Sequence, residues 1–267
     1  MTARLLDTIS VEKPWGRERL PAPFSAKPGE KVGEIWFDPP AEWPDVLVKY
    51  LFTSENLSVQ VHPDDASAPK GSRGKEECWL VLDAEPGASL AAGFTRVIDA
   101  GEMRTAATDG SIEDLLEWHA VQRGDFFNLP ARTVHAIGAG LSILEIQQNS
   151  DITYRLYDYG RPRELHLDEA VAVAEGQPYS EENRKHFDLQ RRANVVKGRY
   201  FAVTLVGDGA AAEQEGERLY LPLNGSVTAA GTTAQAGSCL FVSGNERAEI
   251  AAGSTVVLVC RPSGDPA

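Results

Sequence analysis

Cysteine is scarce in this chain: Cys78, Cys239 and Cys260 are the three present. Their odd number and wide spacing fit no metal knuckle and argue against a disulfide framework. Long apolar runs are missing too. No stretch approaches the ~20 apolar residues that cross a bilayer, and residues 1–14, which include Asp7 and Glu12, hold no signal-peptide core. A protein of the cytoplasm with no membrane partner is therefore expected. Basic charge is in deficit, with 26 Lys and Arg against 39 Asp and Glu for a net −13. That balance argues against a nucleic-acid partner. An anionic small substrate stays compatible with it, because exposed charges are screened beyond ~8 Å at physiological salt. A few local Lys and Arg residues would have to hold such a substrate.

What is present reads as short β segments punctuated by Gly, Pro and Asp turns, the pattern of a barrel or sandwich. The 267 residues, 42% hydrophobic and 24% charged, suffice for a large core. Residues 57–62 alternate strictly, so Ser58, Gln60 and His62 share one strand face and Leu57, Val59 and Val61 the other. Residues 75–82 form a second candidate strand, on which Lys75, Glu77 and Trp79 share a face. A third is expected over Pro130–His135 and a fourth over Leu141–Gln148. Ser111 with Asp114 resembles a capping box, opening a helix with Ile112, Leu115 and Leu116 on its apolar side. Leu167–Ala174 is a second helix candidate, followed by a polar linker over residues 176–185. From Val195 short strands return, and no histidine follows His186. The expected organisation is a metal-binding barrel over 1–164, a helix and linker over 165–194, and a smaller β-domain without a metal site over 195–267.

His62, Glu77 and His135 form a possible set of two imidazoles and one carboxylate, and Gln60 adds a carbonyl oxygen beside His62. Such donors suit Zn²⁺, Fe²⁺ or Mn²⁺ and leave a position open for water or substrate. Each residue also has a bland reading. Lys49 and Lys75 fit solvated strand ends, Asp151 with Arg155 a surface ion pair worth ~0–1 kcal/mol, and Glu145 the polar member of a half-exposed strand. Around His135 the order Gly124-Asp125, Pro130, His135 follows the second cupin motif, although Arg132 stands where that motif has Gly.

Four segments in order then resemble one family, the type I mannose-6-phosphate isomerases of the cupin superfamily, in their short bacterial form. They are Leu57–Asp65 (LSVQVHPDD), Gly74–Trp79 (GKEECW), Gly124–His135 and Leu144–Arg155 (LEIQQNSDITYR). The resemblance covers residues 13–176 and thins out in the C-terminal third. It implies a mainly β, cupin-type jelly roll and one Zn²⁺ per chain on Gln60, His62, Glu77 and His135. It implies a sugar-phosphate pocket lined by Lys49, Ser58, Lys75 and Arg155, and an active site completed by Glu145, Asp151 and Arg155. The implied reaction interconverts mannose 6-phosphate and fructose 6-phosphate through a cis-enediol. Glu145 is the first choice of base, with Lys75 and a metal-activated water as rivals. An Fe(II) cupin oxygenase and a non-catalytic sugar-binding cupin are the competing readings, and the oligomeric state stays open.

Overall fold

Strands dominate the computed structural model, which describes residues 2–207 and 215–262. They begin with β1 (Ala3–Leu5), β2 (Thr8–Arg17), β3 (Val32–Phe37), β4 (Val46–Phe52), β5 (Val59–Val61), β6 (Glu77–Ala84) and β7 (Ser89–Phe94). After helices α1 (Ala100–Asp109) and α2 (Ile112–Leu115) come β8 (Leu116–Ala120), β9 (Asp125–Leu129), β10 (His135–Ile137), β11 (Leu141–Gln148) and β12 (Tyr154–Tyr157). Helix α3 (Leu167–Val173) and β13 (Arg184–His186) lead to β14 (Ala193–Lys197), β15 (Ala202–Val206), β16 (Arg218–Asn224) and β17 (Ser226–Ala229). The last strands are β18 (Thr232–Gln235), β19 (Leu240–Val242), β20 (Ala248–Ile250) and β21 (Thr255–Cys260). The expected mainly β, cupin-like architecture with a few short helices is what is observed. Of the C-terminal segment 195–267, residues 208–214 and 263–267 lie outside the described residues.

Among the described residues, four sheets stack in layers. A seven-stranded sheet runs β13-β9-β6-β11-β4-β3-β2, and a five-stranded sheet runs β12-β5-β10-β7-β8. Between them pack Leu51, Trp79, Val81, Leu90, Phe127 and Ile143. The outer face of the five-stranded sheet, with Val59, Val61 and Ala136, is covered by Met103 and Ala106 of α1 and Ala170 of α3. The other face of the seven-stranded sheet, with Val48, Tyr50, Phe52, Leu144 and Ile146, packs on Leu205, Leu219, Phe241 and Val257. Those belong to a six-stranded sheet, β1-β19-β16-β21-β15-β14, backed in turn by the three-stranded β18-β17-β20. Strand β1 thus joins the C-terminal strands, pairing Ala3 with Val242.

Period-two geometry decides what each strand shows to each layer. On β11, Leu144 and Ile146 face the C-terminal sheet, while Leu141, Ile143, Glu145 and Gln147 face inward. Register then aligns inward residues across neighbours: Glu145 lies opposite both Lys49 of β4 and Trp79 of β6, and Gln147 opposite Glu77.

Two expectations are corrected. Residues 130–134 form a turn rather than a strand, and it delivers His135 as the first residue of β10. Arg132 stands there at φ 75, the left-handed backbone that explains the glycine of the cupin motif. The helix opened at Ser111 is a single turn, because Leu116 already begins β8. The longer helix lies before it: Asp99 caps α1 by accepting from Glu102 N, and Gly110 closes it at φ 87. Between Glu145 and Arg155 the chain is not one continuous strand. Strand β11 ends at Gln148, and a turn precedes β12.

Candidate metal centre and its cavity

His62 Nε2 lies 3.5 Å from Glu77 Oε2, and His135 Nε2 lies 3.5 Å from Glu77 Oε1. They are the residue just after β5 and the first residues of β6 and β10, and all are buried. Their ligand atoms lie within 4.8 Å of one another. Each imidazole is turned by a backbone carbonyl: His62 Nδ1 meets Ile152 O at 2.8 Å and His135 Nδ1 meets Thr133 O at 2.9 Å. With both Nδ1 atoms donating, both Nε2 lone pairs point inward, as in metal sites where a hydrogen bond from the other ring nitrogen fixes the tautomer. Burial holds both rings neutral. The His62 pKa is pushed well below the usual range by burial and then by Lys75, and that of His135 falls to about 4 chiefly through burial.

The donors fit a divalent cation. Glu77 is buried, and no neutral donor reaches either of its oxygens, a costly state for a carboxylate without a cation. The cation beside it here is Lys75, whose Nζ is 2.9 Å from both Glu77 Oε2 and His62 Nε2. Lys75 therefore sits on the same lone pairs that a metal would use. Gln60 is also at the centre, with Nε2 3.2 Å from His135 Nε2 and Oε1 accepting from Ser58 Oγ at 3.0 Å. Serving as a ligand through oxygen requires a half-turn of that amide. Ser58 permits it, since a hydroxyl donates or accepts.

Above this centre opens a cavity of about 210 Å³. Lys49, Ser58, Gln60, Lys75, Glu145, Asp151 and Arg155 all line it, while His62, Glu77 and His135 lie buried beside it. Lys49 Nζ is 2.9 Å from Glu145 Oε1, and Trp79 Nε1 donates to Glu145 Oε2 at 3.0 Å. Burial raises the Glu145 pKa, the charge of Glu77 adds to this, and Lys49 opposes it. Burial pulls the other way on Lys49, but the carboxylates of Glu145 and Glu34 outweigh it and keep the ammonium charged. Arg155 pairs in register with Gln60 on β12, and its pKa is lowered by burial and by Arg163. A guanidinium remains cationic even so. Asp151 arrives from the turn after β11.

Other lining residues were not anticipated as functional: Lys13, Glu34, Gln147 and Arg163. Glu34 accepts from Trp36 Nε1 at 2.7 Å and lies 3.5 Å from Lys13, and Trp36 lies under the Lys49 ammonium at 5.4 Å. The signal that could have found Glu34 and Gln147 is strand parity, since Glu34 is two residues from Trp36 and Gln147 two from Glu145. Trp15, Trp36 and Trp79 form part of the wall.

No family model matches the sequence. A mannose-6-phosphate isomerase of Bacillus subtilis is 41% identical over 170 residues, which cover 59% of this chain and 54% of that protein. The mannose-6-phosphate isomerase of Streptococcus mutans is 43% identical over 136 residues, covering 48% of this chain and 43% of that one. These alignments thus span about half the length of the curated relatives. Among solved structures, the mannose 6-phosphate isomerase from Bacillus subtilis superposes with a TM-score of 0.83 at 27% identity, over 97% of this chain and 100% of that one. No helix among the described residues is long and apolar enough to cross a membrane. In sequence over about half the length of these relatives, and in fold over nearly its whole length, the chain is similar to mannose-6-phosphate isomerases.

Proposed function

We propose that the chain is an aldose–ketose isomerase interconverting mannose 6-phosphate and fructose 6-phosphate, with one Zn²⁺ held by Gln60, His62, Glu77 and His135. The observation that carries this reading is the convergence of His62, Glu77 and His135 beside a cavity lined by Lys49, Lys75, Glu145 and Arg155. The names of the relatives point the same way. When bound, Zn²⁺ supplies a Lewis acid for the sugar oxygens. The chain's own residues supply the rest. Glu145 takes the carbon-bound proton and returns it to the neighbouring carbon, and its raised pKa brings it toward the working pH of a general base. Lys49 at 2.9 Å keeps the deprotonated form within reach. Arg155, which does not give up its proton, offsets the charge of the enediolate. Lys49, Ser58, Lys75 and Arg155 bind the sugar phosphate, and Asp151 completes the site by accepting from a sugar hydroxyl.

Residues 1–164 carry this chemistry in our reading, residues 165–194 connect, and residues 195–267 form a smaller β unit without a metal. Three buried free cysteines suit the reducing cytoplasm. In the test, purified protein carries about one divalent metal per chain and turns over mannose 6-phosphate in a coupled assay. Chelation abolishes turnover, and His135→Ala loses metal and activity together. Metal-replete protein that turns over no sugar phosphate, or an iron-loaded sample that consumes O₂ instead, overturns the reading.

A further inference from the structure

Gln147 is fully buried, lines the cavity, and has no part in the chemistry above. Its Nε2 donates to two backbone carbonyls, Gln148 O at 2.8 Å and Ser150 O at 2.9 Å. Both partners can only accept, so the amide cannot be turned the other way round without facing oxygen to oxygen. Its orientation is fixed by that constraint. The Oε1 atom is then left buried with no partner, a state that costs free energy unless a donor arrives.

The two bonds have a second consequence. They hold the turn that follows β11, which carries Asp151 to the cavity and whose Ile152 O orients His62 Nδ1 at 2.8 Å. In register, Gln147 sits opposite Glu77 and on the same strand face as Glu145. An unpaired acceptor is thus held rigidly in the wall of a cavity that it shares with Lys49, Lys75, Glu145 and Arg155.

We propose that Gln147 is a specificity residue of this site: its Oε1 accepts the hydrogen of one hydroxyl of a polyol phosphate, while its Nε2 fixes the 148–151 turn. The proposal rests on the sugar-phosphate reading of the cavity, but it concerns recognition, not turnover. A hydroxyl donor facing Oε1 is bound more tightly than the same ligand lacking it, and the discrimination belongs to one position of the sugar chain.

The test is a binding cycle with metal-loaded protein and mannitol 6-phosphate, which has no carbonyl to isomerise. Forms of that ligand lacking one hydroxyl at a time are titrated against wild type and Gln147→Met by calorimetry. For wild type, one deoxy ligand binds about five- to tenfold more weakly than the parent. Gln147→Met binds the parent with the same loss, and for that one deoxy ligand variant and wild type bind alike. A merely structural role instead weakens every ligand by one factor, and that result overturns the proposal. So does wild-type protein that fails to bind mannitol 6-phosphate. Binding with this pattern but no turnover of mannose 6-phosphate refutes the isomerase reading and leaves Gln147 in its role. Should the variant not fold, a crystal structure of the wild-type complex decides. It shows a ligand hydroxyl within ~3.2 Å of Oε1, or it refutes the assignment.

Discussion

At the scale of single residues, the Lys49–Glu145 pair is the most exacting feature of the cavity. Both side chains are almost wholly buried, 2.9 Å apart. Removing one partner of a buried pair strands the other charge, at ~3–5 kcal/mol. Lys49→Met alone is therefore expected to destabilise the protein by about that much. Adding Glu145→Gln should restore a large part of it, since the double variant buries no lone charge. Urea unfolding of the four proteins gives the coupling directly, and additive losses would show that the pair is not coupled. The same pair sets a pH dependence. As the proposed base, Glu145 works only when deprotonated, and burial raises its pKa. Activity therefore rises with pH through an acid limb lying above the ordinary carboxylate range. Without Lys49 opposing burial, that limb moves to still higher pH, which a kcat/KM profile of Lys49→Met reads out. An unmoved limb would assign it to another group.

At the scale of elements, legibility followed polarity. Residues 57–62 and 141–148 were readable as strands because polar and apolar side chains alternate or because the run is bounded by turns. Strand β4 was silent, since all seven of its residues are buried between two layers and it shows no solvent face. Helix α1 was hidden by its Ala- and Thr-rich sequence, which has little apolar stripe to read, while Ser111 offered a cap that its side chain does not make. Within the site, His62, Glu77 and His135 were legible because few residue types bind metals. Gln147 and Glu34 were not, because an amide or a carboxylate on a strand announces no chemistry until its partners are known. Turns offer a test of their own. Ala229 pairs with Thr232, so Ala230 and Gly231 form a two-residue hairpin loop with φ 46 and 77. Positive φ at both positions defines the type I′ turn, which favours Asn-Gly. Ala230→Asn should then stabilise the protein, by up to ~1 kcal/mol, because asparagine tolerates the left-handed region better than alanine. Thermal melting checks the sign, and a lower melting temperature would refute it. Gly124→Ala should do the opposite: at φ 93 its new Cβ would meet Phe187 O at 2.5 Å.

At the scale of the whole molecule, the seven-stranded sheet stands between two cores. One of its faces builds the cavity, and the other carries Val48, Tyr50, Phe52, Leu80, Leu144 and Ile146 into the C-terminal sheet. The same strands thus position Lys49 and Glu145 on one side and depend on Leu219, Phe241 and Val257 on the other. Because side-chain direction alternates along β4 and β11, nothing separates the two functions but the thickness of the backbone. Loss of the C-terminal layer would leave an apolar face far beyond what isolated soluble sheets expose. Strand β1 would also lose its partner β19. A chain ending at residue 194 is therefore expected to aggregate or to lose fixed packing, seen as dye binding and loss of near-ultraviolet dichroism. Within the full chain, Phe241→Ala removes a fully buried ring from this interface and should cost ~3–5 kcal/mol. Its unfolding should stay a single transition, because the cavity strands cannot keep their register once their outer face is loosened. A truncated chain that folds as a monomer and still binds one metal would show instead that the barrel holds its site alone.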